Sequence, residues 1–369
     1  MSAPSPARAA QAAYNRLKFE GSDAFFKTVK TRVEEYFKST GRKPRDCWQM
    51  YLKTAIVFSW AIASYLLLVF ATSHWWQAIP LAVSLGFAMA AIGFNIQHDG
   101  GHKAYSDKPW INKLMAMSLD LLGGSSYVWD HKHNTLHHTY ANIHEHDDDI
   151  EVGFFGRLAP DQQWRRFHRL QHIYLWVLYG LLPVKWQLFD DFHSIARGSI
   201  GNYKFSRPKG WNLVVFLGGK LQFYFLAFGL PMLFHKWYLV LGLYLLACWV
   251  MGIMLSIVFQ LAHVVEEAEF PLPNDHGKIE THWAVHQVQT TVDFARRNPV
   301  LCWFLGGLNF QIEHHLFPRI CHIHYPRISK LVEETCREFG VQYHAHKSFF
   351  AGVASHFRWL RQMGQGQPA

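Results

Sequence analysis

Hydrophobic positions along the chain gather into four long blocks rather than short alternating runs. Thr54–Ser73 and Ala78–Gln97 contain no charged residue, and each is long enough to cross a bilayer as a helix. Only HWWQ separates them, an aromatic-rich turn suited to the boundary between membrane and water. The second pair is Trp211–Phe234, interrupted only by Lys220, and Trp237–Ala262, again uncharged, with His235-Lys236 between them. The pattern predicts two transmembrane hairpins with very short loops on one side. At about 1.5 Å per residue the fourth block is about 39 Å long, against a hydrocarbon core of about 30 Å. Its end, with His263, is expected to project beyond the bilayer, and the second block to continue likewise into His98. Lys220 is expected to reach the nearby polar edge by extending its side chain.

Elsewhere the apolar positions keep helical spacing on one face. Ser22–Lys38 carries Phe25, Phe26, Val29, Val33, Tyr36 and Phe37 in such a pattern, with Gly41 as its stop. Residues 111–122 and 170–184 are apolar but short, which predicts helices lying along the membrane. Two amphipathic helices are expected after Pro326, over 327–339 and 348–362. No internal repeat or strand-rich region appears. The expected fold class is an all-α integral membrane protein, one domain over 21–362, flanked by disordered tails at 1–20 and 363–369.

Charge orients this arrangement. Only 17% of the residues are charged, below the roughly 25% of soluble proteins. Arg42, Lys43, Arg45 and Lys53 precede the first block, Lys103, Lys108 and Lys113 follow the second, and Lys204, Arg207 and Lys209 precede the third. The short loops offer only Lys236. By the positive-inside rule both termini and the long central segment are cytosolic. The net charge of +9 suits anionic lipid or an acidic protein partner. No basic-aromatic recognition motif is present, so nucleic acid is excluded as a partner. Five cysteines without Cys-x-x-Cys suggest neither a disulfide framework nor a thiolate metal site, and a reducing compartment fits them. The N-terminus lacks the apolar core of a signal peptide.

Histidine is the outlier, with 24 copies. At that frequency chance alone produces roughly one or two His-x-x-x-His pairs, so the motif by itself is weak. The chain holds His98/His102, His133/His137, His168/His172 and His282/His286. Context separates them. QHDGGH lies at the expected cytosolic end of the second block. HNTLHH adds His138 to His133 and His137, a triple with a chance expectation of about 0.1. His314 and His315 lie in an apolar stretch after the fourth block. By contrast HRLQH sits among Arg165, Arg166 and Arg169, and HWAVH in a polar connector. Both read as solvated or hydrogen-bonded surface histidines.

The plain alternative for the favoured clusters is buried imidazole satisfied by neighbours. Three clusters on one membrane face, with His263 beside them, point instead to metal. Seven or eight histidines exceed what one ion takes, so two metals are implied. Imidazole suits zinc, iron, copper and nickel. A zinc protease needs Glu after the first histidine, where Asp99 stands. A redox pair fits O2 chemistry on an unactivated C–H bond, and a site at the mouth of a helical bundle suits a lipid chain as substrate. Asp99, Glu313 and the run holding Asp147 and Asp149 are candidates to orient the ligands; for the run, a solvated loop or helix cap is the competing reading. Lipid hydroxylation or ketolation on the same ligands, or a zinc receptor or metal transporter, are the alternatives.

The segments FNIQHDGGHKAYS, HNTLHHTYANI, LAHVVEEAEF and LNFQIEHHLFPRICHIHYP resemble the membrane fatty acid desaturases with three histidine boxes, and within them the front-end acyl-lipid group. The resemblance covers about residues 20–362. It implies two iron ions held by His98, His102, His133, His137, His138, His314 and His315, with His263 as an additional ligand. Gln311 occupies the position where the front-end group has Gln in place of the first histidine of the third box. Implied too are O2 as co-substrate, a membrane lipid acyl chain as substrate, and a new double bond on the carboxyl side of an existing one, with position 6 of a C18 chain favoured. Many relatives carry a fused cytochrome b5 with His-Pro-Gly-Gly. That motif is absent, so electrons are expected from a separate donor, ferredoxin first and free cytochrome b5 second. The implied location is a bacterial inner or thylakoid membrane. The second box departs from several front-end enzymes by holding three residues rather than two between His133 and the histidine pair. His322 and His324 are expected either to shape the site or to assist donor docking.

Overall fold

The uninterrupted apolar blocks form helices, because inside a bilayer every backbone N–H and C=O must find a partner within its own segment. A computed structural model describes residues 17–366. Among the described residues, four helices are long and apolar enough to span a membrane: Trp48–Phe70, Trp75–Gly101, Trp211–Met232 and Trp237–His263. The second and fourth are 27 residues each, about 40 Å at 1.5 Å per residue. They therefore outrun the hydrocarbon core as expected, carrying His98 and His263 at their ends. In the first hairpin turn, the Gln77 side chain accepts from the backbone N–H groups of Ser73 and His74 at 3.0 and 3.1 Å. Trp75 and Trp76 stand exposed there, as interfacial anchors do. In the other turn, His235 Nε2 lies 2.7 Å from the Val69 carbonyl, tying the hairpins together.

The second and fourth spans form the centre of the bundle. Ala82, Ala88, Ala90 and Ala91 are wholly buried, and Ala247, Cys248 and Gly252 are buried on the partner helix. Small side chains let helix backbones approach closely where no hydrophobic force acts between them. The first and third spans keep large apolar faces exposed, including Ile62, Leu66, Val214 and Leu221.

Lys220 departs from expectation. It does not extend to the membrane edge but turns inward and is buried, its ammonium 2.8 Å from Asp191 Oδ2 and 2.7 Å from the Gly123 carbonyl. The Trp186 and Gln187 carbonyls, each at 3.3 Å, complete its shell. Four oxygen acceptors from the cap outcompete the bilayer edge. Lys53 is likewise buried, with its Nζ 2.9 Å from His322 Nε2.

The remaining chain builds a cap over one end of the bundle. Ala24–Thr40 ends at Gly41 in the left-handed region (φ 62°) and buries Phe25, Val29 and Val33. They pack against Ile328 and Val332 of Tyr325–Phe339, and against Ile312 and Leu316. Phe349–Gly364 sets Trp359, Leu360 and Met363 against Leu158, Leu175 and Tyr179. The short helices Pro109–Ala116 and Gln171–Tyr179 leave Trp110, Leu114, Ile173 and Val177 exposed, the outward apolar face of membrane-lying helices. The expected N-terminal tail lies outside the described residues up to position 16. Its end is ordered, since Lys18–Phe19 pairs in parallel with Lys278–Ile279. The last helix continues to Gly364, two residues past its expected end and into the expected C-terminal tail, whose final residues 367–369 lie outside the described part.

Two buried histidines away from the site give the cap a pH dependence. Burial holds His286 down to about 3 and His356 to about 4. Unfolded histidine titrates near 6.5, so below that value the unfolded chain binds more protons and stability falls with falling pH. The expected result is a denaturation midpoint in detergent that drops steadily from about pH 6.5 toward about pH 4. A midpoint flat across that window contradicts this account.

Candidate metal centre

Each histidine cluster is delivered by a different local device. His98 and His102 are one helical turn apart at the end of the second span, so their rings meet at 4.6 Å. Gly101 between them is required by close packing: a Cβ there would lie 2.2 Å from the Trp129 ring. That indole lies against the His133 ring at 4.6 Å and meets His102 at 5.4 Å. His133 and His137 sit on a π-helical segment, Asp130–His137, with His138 immediately after it. The wider π-turn lets residues four and five positions on straddle the first, which places all three rings on one side; such segments recur at functional sites. His263 ends the fourth span. His314 and His315 lie on the short helix Gln311–Leu316. The loop before it is pressed onto the second span at Gly306, whose φ of +60° and a notional Cβ 2.2 Å from the Phe94 carbonyl leave no room for a side chain. Asn95 fastens this contact, donating to the Phe304 carbonyl at 2.9 Å.

These devices bring all eight expected histidines together. One group is His98, His102, His133 and His314; a second is His137, His263 and His315; and His138 joins His314 and His315 in a third. Within each group one nitrogen per ring lies within 4.8 Å of the others. A metal about 2 Å from each imidazole nitrogen fits such spacing. His138 stands between the groups, 4.6 Å from the His102 ring and 4.3 Å from that of His315.

The orphaned atoms test the fit. Nε2 of His102, His133, His137, His138, His263, His314 and His315 is buried without a hydrogen-bond partner. Each such atom costs about 1–3 kcal/mol if it stays unsatisfied. Their concentration at one place is what a cation-binding site looks like without its ions. Burial and the neighbouring imidazoles push His102, His138, His314 and His315 well below the ordinary histidine range. They are neutral at physiological pH, the state in which imidazole ligates metal.

The opposite ring atoms are held. Asp147 Oδ2 accepts from His137 Nδ1 at 2.9 Å, and Asp149 Oδ2 from His133 Nδ1 at 3.2 Å. His315 Nδ1 donates to Gln287 Oε1 at 2.7 Å, and His314 Nδ1 lies 3.3 Å from Tyr325 Oη. Burial would raise the Asp149 carboxyl, but Lys132 and the two adjacent histidines outweigh it and hold that group well below the usual carboxylate range. Burial likewise opposes charge on His137, yet Asp147 and Asp149 leave it above the ordinary value. Asp147 also accepts from the Asn142 N–H at 2.9 Å, while the Asn142 amide donates to the His263 carbonyl at 2.8 Å. One carboxylate thus links the second cluster to the end of the fourth span. Asp147→Asn is expected to weaken metal binding roughly 10- to 100-fold. Iron titration of the purified apoprotein measures this, and unchanged affinity would count against Asp147 as an orienting group.

Other expected positions fall differently. Asp99 turns from the histidine groups to His322, accepting from its Nδ1 at 3.0 Å. Glu313 Oε1 lies 3.0 Å from Tyr343 Oη, whose proton is donated to Asp293 at 2.5 Å. In both cases the short side chain points off the face that carries the ligand beside it. Gln311 shares a helix face with His314 and His315, and its Oε1 is buried without a partner. HRLQH and HWAVH join none of the metal groups among the described residues. Contrary to the surface reading, His168 and His286 are buried, His168 being 2.9 Å from the Phe154 carbonyl. Gln287 and Tyr325 were not foreseen. Gln287 lies on the helix Trp283–Gln289, in what reads as a polar connector, and no local motif announces it.

Comparison with known proteins agrees with this centre. The sequence profile of the family described as fatty acid desaturase matches residues 73–347. The chain is 38% identical over 351 residues to an sn-1 linoleoyl-lipid 6-desaturase of Arthrospira platensis, covering 95% of each chain. It is 38% identical over 353 residues to an sn-1 linoleoyl-lipid 6-desaturase of a Synechocystis species, covering 95% of this chain and 98% of that one. An acyl-lipid (8-3)-desaturase of Physcomitrium patens is 40% identical over 363 residues, covering 95% of this chain and 75% of its own. With its histidine groups assembled at the ends of two spans and this likeness running almost end to end, the chain belongs to the fatty acid desaturase family.

Proposed function

We propose that the protein is an O2-dependent acyl-lipid desaturase that places a cis double bond toward the carboxyl end of an unsaturated C18 chain, at position 6. The observation that carries this reading is the set of three adjoining histidine groups, seven of whose eight members keep a buried unpartnered Nε2, at the ends of the second and fourth spans. The position within the chain rests on the cyanobacterial relatives.

Two iron ions, when bound, supply the redox chemistry by which O2 and two external electrons remove two hydrogens from adjacent acyl carbons. The chain's own residues set the conditions for it. His98, His102, His133 and His314 serve one position, and His137, His263 and His315 the other, with His138 between them. Asp147, Asp149 and Gln287 fix the ring orientations and keep the outer nitrogens protonated, leaving the inner lone pairs for metal. Seven of these eight rings are buried and His133 is nearly so, which excludes water from the site. The reduction of O2 to two waters takes four electrons, two from the C–H bonds and two from the donor. A separate ferredoxin is the favoured donor and free cytochrome b5 the alternative. Net charge +9 supports an acidic partner. The distribution of Lys and Arg supports cytosolic termini, in a bacterial inner or thylakoid membrane.

The test is expression in a host that lacks polyunsaturated lipid, fed linoleate, with gas chromatography of its fatty acids. The expected product is a new C18 species with a double bond at position 6. A hydroxylated product without a new olefin would transfer the site to hydroxylation, and a protein that binds only zinc and shows no iron-dependent activity would remove the enzyme reading altogether.

A further inference from the structure

Two cysteines far apart in sequence, neither of them in the histidine groups, come together in the cap. Cys47 stands just before the first span, half-buried, and Cys321 lies in the turn after the third histidine cluster, wholly buried. They share one packed core, and their thiols hydrogen-bond to each other. The backbone holds the two segments together, the Cys321 N–H donating to the Pro44 carbonyl at 2.8 Å. His324 Nε2 lies 3.4 Å from Cys47 Sγ and 3.0 Å from the Lys43 carbonyl. Asp46 fixes the approach to Cys47. It takes the left-handed region (φ 61°), and its Oδ1 accepts from the Tyr51 and Ser106 hydroxyls, each at 2.7 Å.

The neighbouring side chains argue against a cation here. Asp99, Cys321 and His322 have the spacing for one, each offering an atom within 4.8 Å of the others. Yet both ring nitrogens of His322 are taken, Nδ1 by Asp99 at 3.0 Å and Nε2 by the Lys53 ammonium at 2.9 Å. A lysine already supplies the positive charge. Unlike most of the clustered histidines, His322 keeps no orphaned nitrogen.

What the arrangement favours is thiol chemistry. The Cys321 thiol donating to Cys47, with His324 beside it, outweighs burial and holds Cys47 down to about 5. The same bond, together with burial, pushes Cys321 well above the usual thiol range. Near neutral pH one sulfur is therefore a thiolate and the other a thiol. A thiolate is the form that attacks peroxide, and a second thiol in contact with it resolves the product to a disulfide. The charged sulfur is also the one that solvent reaches.

We propose that Cys47 and Cys321 form a peroxide-modification site, in which Cys47 reacts first and Cys321 closes a reversible disulfide. The Cys47 thiolate attacks one oxygen of hydrogen peroxide, the O–O bond breaks and hydroxide leaves, giving a sulfenic acid. The Cys321 sulfur then attacks Cys47 Sγ. The S–S bond forms, the S–O bond breaks, and the oxygen leaves as water with the Cys321 proton. Hydroxide takes up the proton that Cys47 had released, so two thiols lose two electrons and one peroxide becomes two waters. The bond ties the head of the first span to the turn leading into Tyr325, which lies 3.3 Å from His314. This site goes beyond the desaturase reading and does not depend on it.

The test exposes the purified, reduced full-length protein in detergent to hydrogen peroxide, alkylates the remaining thiols after unfolding, and maps the peptides by mass spectrometry. A linked Cys47–Cys321 peptide is expected, and dithiothreitol is expected to remove it. Cys47 should be oxidised at least about tenfold faster than the half-buried Cys302, whose thiol burial pushes up. Cys321→Ser is expected to leave Cys47 as a sulfenic acid that dimedone captures. Cys47→Ser is expected to leave Cys321 a thiol under the same exposure, because Cys321 is wholly buried. Wild type alone decides the matter if either variant fails to fold. Oxidation of Cys47 no faster than Cys302, or a disulfide that joins either cysteine to a different partner, would overturn the proposal. So would a wild-type Cys47 that stops at the sulfenic acid.

Discussion

His138→Ala is expected to abolish desaturation, with product at least about a hundredfold below wild type, more than the 10- to 100-fold typical of losing a group that only orients a ligand. Neither ring nitrogen of His138 has a partner among the described residues, so no local hydrogen bond explains its burial. It belongs to a group with His314 and His315, while its ring also abuts those of His102 and His133 at 4.6 and 4.9 Å. Removing it therefore affects both metal positions. Gas chromatography of lipids and iron analysis of the purified variant are the two readouts, and both are expected to fall. The substitution removes an unsatisfied polar ring from the core, so the apoprotein should fold at least as well as wild type. Wild-type product from His138→Ala would mean that the assembled histidines are not the reaction centre.

The second large effect concerns Lys220. Its side chain is 4% exposed and that of the paired Asp191 8%. Lys220→Met keeps the volume but leaves a buried carboxylate without its counter-charge, which costs about 3–5 kcal/mol. The expected result is a thermal midpoint several degrees lower in detergent. Loss at the site should follow, because Asp191 starts the helix Asp191–Arg197, beside the hairpin Ser199–Lys204, whose Ile200 packs with Leu136 next to His137. Replacing both partners, Lys220→Met with Asp191→Leu, is expected to recover most of the stability, since a buried pair gains little over well-packed apolar groups. A single variant as stable as wild type would show that the pair is solvated and inconsequential.

The spans were legible because bilayer crossing imposes an uninterrupted apolar block, and the helix ends differ from the expected ones by only a few residues at most termini. The first span is the largest exception. It begins at Trp48, six residues earlier than expected, because Lys53 finds His322 inside the protein and need not mark the membrane edge. The grouping of the eight histidines was legible for a related reason: metal chemistry restricts residue type and helical spacing together. What holds the ligands was only half legible. Asp147 and Asp149 lie close in sequence to the rings they hold, whereas Gln287 meets His315 across 28 positions. Asp99 and Glu313 misled because adjacency along a helix places side chains on different faces. Lys220 was read by distance to the membrane edge, although the acceptors that claim it come from chain far away in sequence. The π-segment at Asp130–His137, which carries the second box, has no periodic signature.

The scattered origin of the proposed ligands has a consequence for biosynthesis. They come from positions 98 to 315 of a 369-residue chain, on segments that end, separate and follow the hairpins. A ribosome that has inserted both hairpins has still not delivered His314 and His315. Neither metal position is complete before that, because each group contains one of these two residues. Metal must therefore arrive after translation is nearly finished. A chain truncated before residue 314 would still insert both hairpins, yet it would leave the ribosome without a complete place for either ion.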